Sequence, residues 1–352
     1  MVKIMVNKNN LATVDTLATD AAEASMDNQT VPLSRLHSAQ KHRYLSTENS
    51  THAAKEIEID DKSAMLAVEA AVAIVINGIH YAILMASPYQ LEYLAIGFLY
   101  SEGLIHHSHE LLDWEITQLT DIASYQKFSN DLTDDSATAT TTFEQFSAQL
   151  QDYDVYVVEL VLNQRCHQRI QAQKRQLAGR TGCGMCGITG LTQALPDLSS
   201  YSAPNLESAK KMSQPTAPTL NYLLQVRQNI NAAQHTHQLT GAVHAAATMQ
   251  GADLYLFEDV GRHNALDKLI GWQLRHKAEL TCVVMTSRLS IELVQKSIRS
   301  RLPWLVGMSA PTSTAVRVAE RYGLGLAGFL RDDRVTYYTN TTPTVQTLKT
   351  PI

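Results

Sequence analysis

Two cysteines three residues apart, Cys183 and Cys186, lie in Arg180-Thr-Gly-Cys-Gly-Met-Cys-Gly-Ile-Thr-Gly190 and are the strongest chemical signal in the chain. Four glycines between Gly182 and Gly190 suit a movable loop better than a rigid helix start. Arg165, Arg169, Lys174, Arg175 and Arg180 run up to the pair, and no acid occurs from Arg165 to Pro196. The thiolate is the reactive form of cysteine, and both nearby cations and a C-x-x-C spacing lower its pKa. Such a pair can carry sulfur or exchange electrons, can be half of a zinc site, or can be two inert thiols. Zinc requires two further ligands, and Cys166 and Cys282 lack the paired spacing of a zinc ribbon, although Cys166-His167 could contribute. His106, His107 and His109 give a weaker metal signal, since no cysteine accompanies them.

A second constellation is positional. Three apolar runs in the C-terminal third end in polar residues just before a helix-like stretch: Glu258-Asp259-Val-Gly261-Arg262-His263-Asn264, Thr286-Ser287-Arg288-Leu-Ser290, and Ser309-Ala-Pro-Thr312-Ser313. In an open α/β sheet these turns share the carboxyl edge, where ligands bind. Asn264, Ser290 and Thr312 or Ser313 are placed to cap helices whose free N–H groups attract anions, and Arg262 and Arg288 can hold phosphate in two-pronged fashion. An anionic, phosphorylated ligand is the expectation. Local pairing of those arginines with Glu258, Asp259 or Glu292 is the plainer alternative. A further turn, Gly328-Phe329-Leu330-Arg331-Asp332-Asp333-Arg334, reads by pattern alone as ordinary and solvated. Glycine-rich nucleotide loops, G-x-S-x-G and H-E-x-x-H are all missing, which removes the commonest nucleotide, hydrolase and metalloprotease readings.

The elements that must position these residues follow from periodicity. Alternation of short apolar runs with amphipathic stretches (LYLFEDV then NALDKLIGWQL, TCVVMTS then SIELVQKSIR, LPWLVGMSA then TSTAVRVAERYG, LGLAGFL then VTYYT) predicts an α/β domain with a mainly parallel sheet over 201–340. A smaller α+β domain is expected over 51–200. It opens with a hairpin turning at Asn77-Gly78 and continues into a helix from Leu91 that stops near Gly103. Residues 110–154 hold ten acids against Lys127 and read as a solvated acidic insertion. Residues 1–50, without an apolar period, read as a disordered tail, 341–352 as a second tail, and the Pro/Ser-rich stretch from Leu195 to Pro218 as linker.

With 352 residues, 45% of them hydrophobic, the chain is long enough for about two cores and too apolar to be disordered throughout. Its net charge of −5 argues against a dedicated nucleic-acid binder. No apolar stretch reads as a secretion signal or a membrane span, so a cytoplasmic protein is expected, where four cysteines point to chemistry or metal and not to disulfide staples.

Taken together, several segments resemble the formate dehydrogenase accessory sulfurtransferase family (FdhD). They are Leu94-Ala-Ile-Gly-Phe-Leu-Tyr-Ser-Glu-Gly103, Gly182-Cys-Gly-Met-Cys-Gly187, Thr240-Gly-Ala-Val-His244-Ala-Ala246, Glu258 to Ala265, Ser309-Ala-Pro-Thr-Ser313, and Gly328-Phe329 to Tyr338. Ala71, Ala242, Ser287 and Leu293 depart from the family pattern, in ways that bear on loops near the pocket. The resemblance implies a cytoplasmic homodimer that takes a persulfide from a cysteine desulfurase. It then passes sulfur to the molybdenum bis(molybdopterin guanine dinucleotide) cofactor of a formate dehydrogenase catalytic subunit. It also implies a C-terminal domain similar to the cytidine deaminase-like fold, without the zinc deaminase signature. By position Cys183 matches the persulfide cysteine and Cys186 its partner. Phe329, Leu330, Arg331, Asp332, Asp333 and Arg334 match a cofactor-contacting segment. His244, Asp259, Arg262, His263, Asn264, Arg288, Ser309 and Thr312 are expected around the same pocket, with no metal ligand among them. GDP or GTP is the expected mimic of the cofactor. A zinc-binding interaction module and a dithiol oxidoreductase remain the alternatives.

Overall fold

The computed structural model describes residues 33–44, 57–120, 153–168, 170, 195–201 and 216–339. Its first element corrects the expectation of a tail to residue 50, because Ser34–Tyr44 forms β1 and pairs antiparallel along its whole length with β2 (Ile57–Ala67). The two strands are neighbours in sequence but mostly exposed, so no apolar period marks either of them. Opposite charges support it across the strands, with Arg43 2.6 Å from Glu58, and Arg35 reaches Asp154 at 2.7 Å to tie the ribbon to the body.

Asn77-Gly78 forms the expected turn, both residues at positive φ (49° and 77°), joining β3 (Ala70–Ile76) to β4 (Ile79–Ala86). The Asn77 amide then clamps the far end of another strand, accepting from Leu162 N at 2.7 Å and donating to Leu162 O at 3.1 Å. After β4 comes α1 (Leu91–Ser101), which lays Leu91, Leu94 and Leu99 into the core of this sheet. The acidic insertion is corrected at its start, where Leu111–Leu119 is β5, while Asp154–Leu162, which the apolar run YDVYVVELVLN marks as a strand, is β6; the two are antiparallel neighbours that complete the order β4-β3-β6-β5. Alternating acids such as Asp113 and Glu115 occupy a half-buried strand there, so charge density masked a period of two. Pairing β3 with β6 in parallel requires the long connection between them.

The C-terminal unit begins with α2 (Leu220–Ala233) and α3 (His235–Thr240). There follow β7 (His244–Gln250), β8 (Asp253–Asp259), α4 (Arg262–His276), β9 (Val283–Met285), α5 (Ile291–Arg299), β10 (Trp304–Gly307), α6 (Ser313–Tyr322), β11 (Gly325–Gly328) and β12 (Thr336–Tyr337). The sheet order is β12-β11-β10-β9-β7-β8. Of the pairings in this sheet only β9 with β10 and β10 with β11 are parallel, so the expected mainly parallel sheet is in fact mixed, although β8 to β11 all run the same way. The reason is local: β7 and β8 are joined by a tight turn at Gly251, which only antiparallel strands permit. Alternation sends Val283, Met285 and Leu305 to a core with α4, α5 and α6, and Val284, Trp304 and Val306 to one with α2. The supposed linker also contributes, since Leu198 is buried in the first of these cores.

The two sheets are held together by α1 crossing α4 at contact distance. A Cβ added at Gly97 would lie 1.7 Å from the Asp267 carbonyl oxygen, and one at Gly271 2.0 Å from that of Tyr93. Either methyl would force the helices apart. Beneath the crossing, Lys296 reaches Asp267 and Glu102, each at 2.9 Å, and Ser101 Oγ donates to Asp267 at 2.6 Å. Among the described residues no helix is long and apolar enough to cross a membrane.

Candidate functional site

Strand β8 is antiparallel to β7, and β7 to β9, so β8 through β11 all end at one edge, where β7 begins. A cavity of about 650 Å³ opens there. His244 enters it from the start of β7, Thr286 from beyond β9, Met308 and Ser309 from beyond β10, and Arg331 from beyond β11. The opposite wall consists of α2 and α3, through Arg227, Asn231, Gln234, His237 and Gln238. No carboxylate lines it among the described residues. Two guanidiniums and two imidazoles facing a carboxylate-free hollow of this size suit an anionic small molecule.

Hydrogen bonds fix the walls. The Arg331 guanidinium donates to the Met308 carbonyl, and its backbone N–H to Arg334 O at 2.9 Å. Arg227 Nε donates to Asp332 at 2.9 Å and its Nη1 to Leu330 O at 3.2 Å, so α2 and the 329–334 turn are stitched together. That bond holds the Asp332 carboxyl below its ordinary range. Glu258 accepts from the backbone N–H groups of Thr236 and His237 and so anchors α3 to the end of β8. His237 Nδ1 donates to the Val243 carbonyl at 3.0 Å, which in the neutral ring leaves Nε2 as an acceptor. Burial, then Arg262 and His237, depress the His244 pKa.

The residues expected at the site therefore separate into groups. His244, Ser309 and Arg331 line the cavity. Phe329, in the left-handed region at φ 51° and 41% exposed, and Asp332 belong to the adjoining turn. Leu330 is instead fully buried among core residues. Asp333 and Arg334 pair with each other at 3.3 Å in solvent, as the plain turn reading had it. Thr312 caps α6 by accepting from Ala315 N, and Arg288 is exposed beyond β9.

Asp259 and Asn264 are placed elsewhere than expected. Asp259 is fully buried, 2.7 Å from the equally buried Lys268, and also accepts from Ser87 N, Gly261 N and Asn264 Nδ2. Asn264 donates to Met85 O as well. Their polar atoms fasten β4 and its following turn to α4, leaving no surface for a ligand. Asn264 is not a cap either, because α4 begins at Arg262 with Gly261 before it. Arg262 heads that helix. His263 is largely buried, its Nε2 without a partner among the described residues.

Burial, with Lys296 and Arg262 nearby, takes the His263 pKa down to about 4, against pulls from Glu292 and Glu102. An unfolded His titrates near 6.5, so between about pH 6.5 and 4 the unfolded chain binds more protons and stability falls with pH. The loss should approach roughly 3 kcal/mol below pH 4. Urea unfolding of wild type and His263→Asn at pH 7.5 and 4.5 checks this: the wild type should lose more on acidification, and parallel losses would refute it.

Cys183 and Cys186 lie outside the described residues. The polar wall on α2 and α3 was missed by sequence reasoning, although a signal was present. Arg227, Asn231 and Gln234 recur at i, i+4 and i+7 along the flank of the stripe formed by the buried Leu223, Val226 and Ile230.

Comparison with known proteins agrees with the motif pattern. A family model described as the FdhD/NarQ family matches residues 67–344. The chain is 31% identical to the sulfur carrier protein FdhD of Shewanella oneidensis over 299 residues, covering 84% of this chain and 91% of that one. It is 36% identical to the protein of that name from Chromobacterium violaceum (78% and 88% covered) and 33% identical to that from Acinetobacter baylyi (89% and 99%). The chain belongs to the FdhD/NarQ family.

Proposed function

We propose that the protein is a sulfur carrier, as its relatives are named. It would accept a persulfide sulfur on Cys183 from a cysteine desulfurase and deliver it to the molybdenum bis(molybdopterin guanine dinucleotide) cofactor destined for a formate dehydrogenase catalytic subunit. The observation that carries the reading is the cavity at the sheet edge, without a carboxylate among the described residues and with Arg331, Arg227, His244 and Ser309 around it. Its volume suits one guanosine diphosphate moiety of that cargo, with phosphate toward the arginines, so free GDP or GTP would serve as a partial mimic. The protein would act as a cytoplasmic homodimer, its C-terminal unit related to the cytidine deaminase-like fold and its cysteine loop supplied by the N-terminal one.

In this scheme the Cys183 thiolate attacks the outer sulfur of the donor persulfide; the donor's S–S bond breaks and the donor leaves as a thiolate. No net oxidation occurs in that step. Attack by the Cys186 thiolate on the inner sulfur then forms a Cys183–Cys186 disulfide, and the outer sulfur departs, reduced to sulfide, for the acceptor. A thiol reductant resets the pair.

Mass spectrometry after incubation with a desulfurase and cysteine tests the reading. The expected result is an adduct of about 32 Da that a thiol reductant removes. A protein that gains no sulfur but carries stoichiometric zinc would instead favour the metal-binding alternative.

A further inference from the structure

Gln234 stands in the cavity wall where α2 ends and α3 begins, and it is only 5% exposed. Its Nε2 is buried without a hydrogen-bond partner among the described residues. Its neighbours on the wall are engaged: Gln238 Nε2 donates to Asn231 O at 2.7 Å, His237 Nδ1 to Val243 O, and Arg227 to Asp332 and Leu330 O. A buried N–H lacking an acceptor is destabilising, and a ligand oxygen placed against it removes that penalty. Among the described residues Gln234 is thus the group on this wall with a buried donor still to satisfy.

Its position indicates which part of a ligand would supply the oxygen. Seven residues separate Gln234 from Arg227, about 10 Å along the helix axis, and the two share a face with Asn231 between them. Arg227 is ion-paired with Asp332 and bonded to Leu330 O, so with Arg331 that end of the wall keeps a net positive charge, while no Arg or Lys lines the Gln234 end. A nucleoside diphosphate has the matching polarity, charged at its phosphates and uncharged at its base.

We propose that Gln234 is the base-reading residue of this cavity, its carboxamide N–H donating to the 6-oxo oxygen of a purine and thereby selecting 6-oxopurines over 6-aminopurines. The assignment rests on the reading of the cavity as a guanine-nucleotide site given above. Adenine presents an amine at that position, so donor would face donor and both would go unsatisfied.

Calorimetric titration of the full chain with GDP, IDP, ADP and inorganic pyrophosphate decides the matter. Gln234→Leu should weaken GDP and IDP about tenfold, ~1.4 kcal/mol, and leave ADP and pyrophosphate unchanged. Gln234→Glu preserves shape but replaces the donor with an acceptor, so it should weaken GDP further and strengthen ADP. It also keeps the test available should Gln234→Leu fail to fold, as judged by circular dichroism. GDP binding with an unchanged GDP-to-ADP ratio in the folded variants would overturn the role of Gln234 alone. Wild-type protein that binds none of the four would overturn both this role and the guanine-nucleotide reading.

Discussion

Asp259→Ala should unfold at a much lower urea concentration than the wild type, losing about 3–5 kcal/mol, the usual result of removing one partner from a buried ion pair. The carboxylate it deletes accepts from Ser87 N, Gly261 N, Asn264 Nδ2 and Lys268 Nζ, all within 3.1 Å. Lys268 is fully buried, so its ammonium would retain only the Ser87 and Glu258 carbonyls and no counter-charge. Because the same carboxylate joins the segment after β4 to the turn before α4, the variant loses a junction between the two sheets as well as a charge partner. Asp259→Ala combined with Lys268→Met should regain much of the loss, since an apolar side chain of similar length replaces the stranded charge. A ligand-contacting Asp259 would give the opposite pattern, with GDP binding lost and the urea midpoint unmoved, and that result would restore the motif reading.

This residue shows where sequence reasoning stops. Glu258 to Ala265 has the composition of a ligand loop, with acids, an arginine, a histidine and an asparagine ahead of a helix, and nothing within the segment reveals that Ser87 and Met85 will satisfy two of its polar side chains. Contacts between residues more than 170 positions apart leave no local trace. Strand β7 was obscured for a different reason: Ala245, Ala246 and Ala247 have weak strand preference, yet all are completely buried in the middle of the sheet, where small side chains let helices approach both faces. What was legible is what local rules determine. The Asn77-Gly78 turn, the Leu91–Ser101 helix and the succession β9, α5, β10, α6, β11 all follow from turn chemistry and periodicity. Of the cavity residues, Ser309 was placed by the convergence of strand ends on one edge, whereas His244 and Arg331 were expected from the family resemblance alone, the Arg331 turn reading by pattern as solvated. Gln234 required knowing the partner helix.

Cys183→Ala should abolish persulfide loading, while Cys186→Ala should load sulfur and transfer it poorly. The expectation begins with the two cysteines that the structure does describe. Cys166 and Cys282 are both completely buried, and burial pushes the Cys282 thiol up to about 12, so at neutral pH it has almost no thiolate with which to attack a donor. Cys166 likewise offers its sulfur no route to a protein-borne persulfide. Loading must then fall on the C-x-x-C, where the run of Arg165, Arg169, Lys174, Arg175 and Arg180 ends just before Cys183 and favours its thiolate. In the proposed scheme the two cysteines of the C-x-x-C would have different roles, the first keeping the sulfur as a persulfide and the second displacing it. Mass spectrometry of each variant after desulfurase treatment reads the first step, and sulfide released before any thiol is added, with formation of the Cys183–Cys186 disulfide, reads the second. Retention of the adduct in Cys183→Ala with its loss in Cys186→Ala would exchange the two roles. Retention in both single variants and in the double variant would move the chemistry off the C-x-x-C altogether.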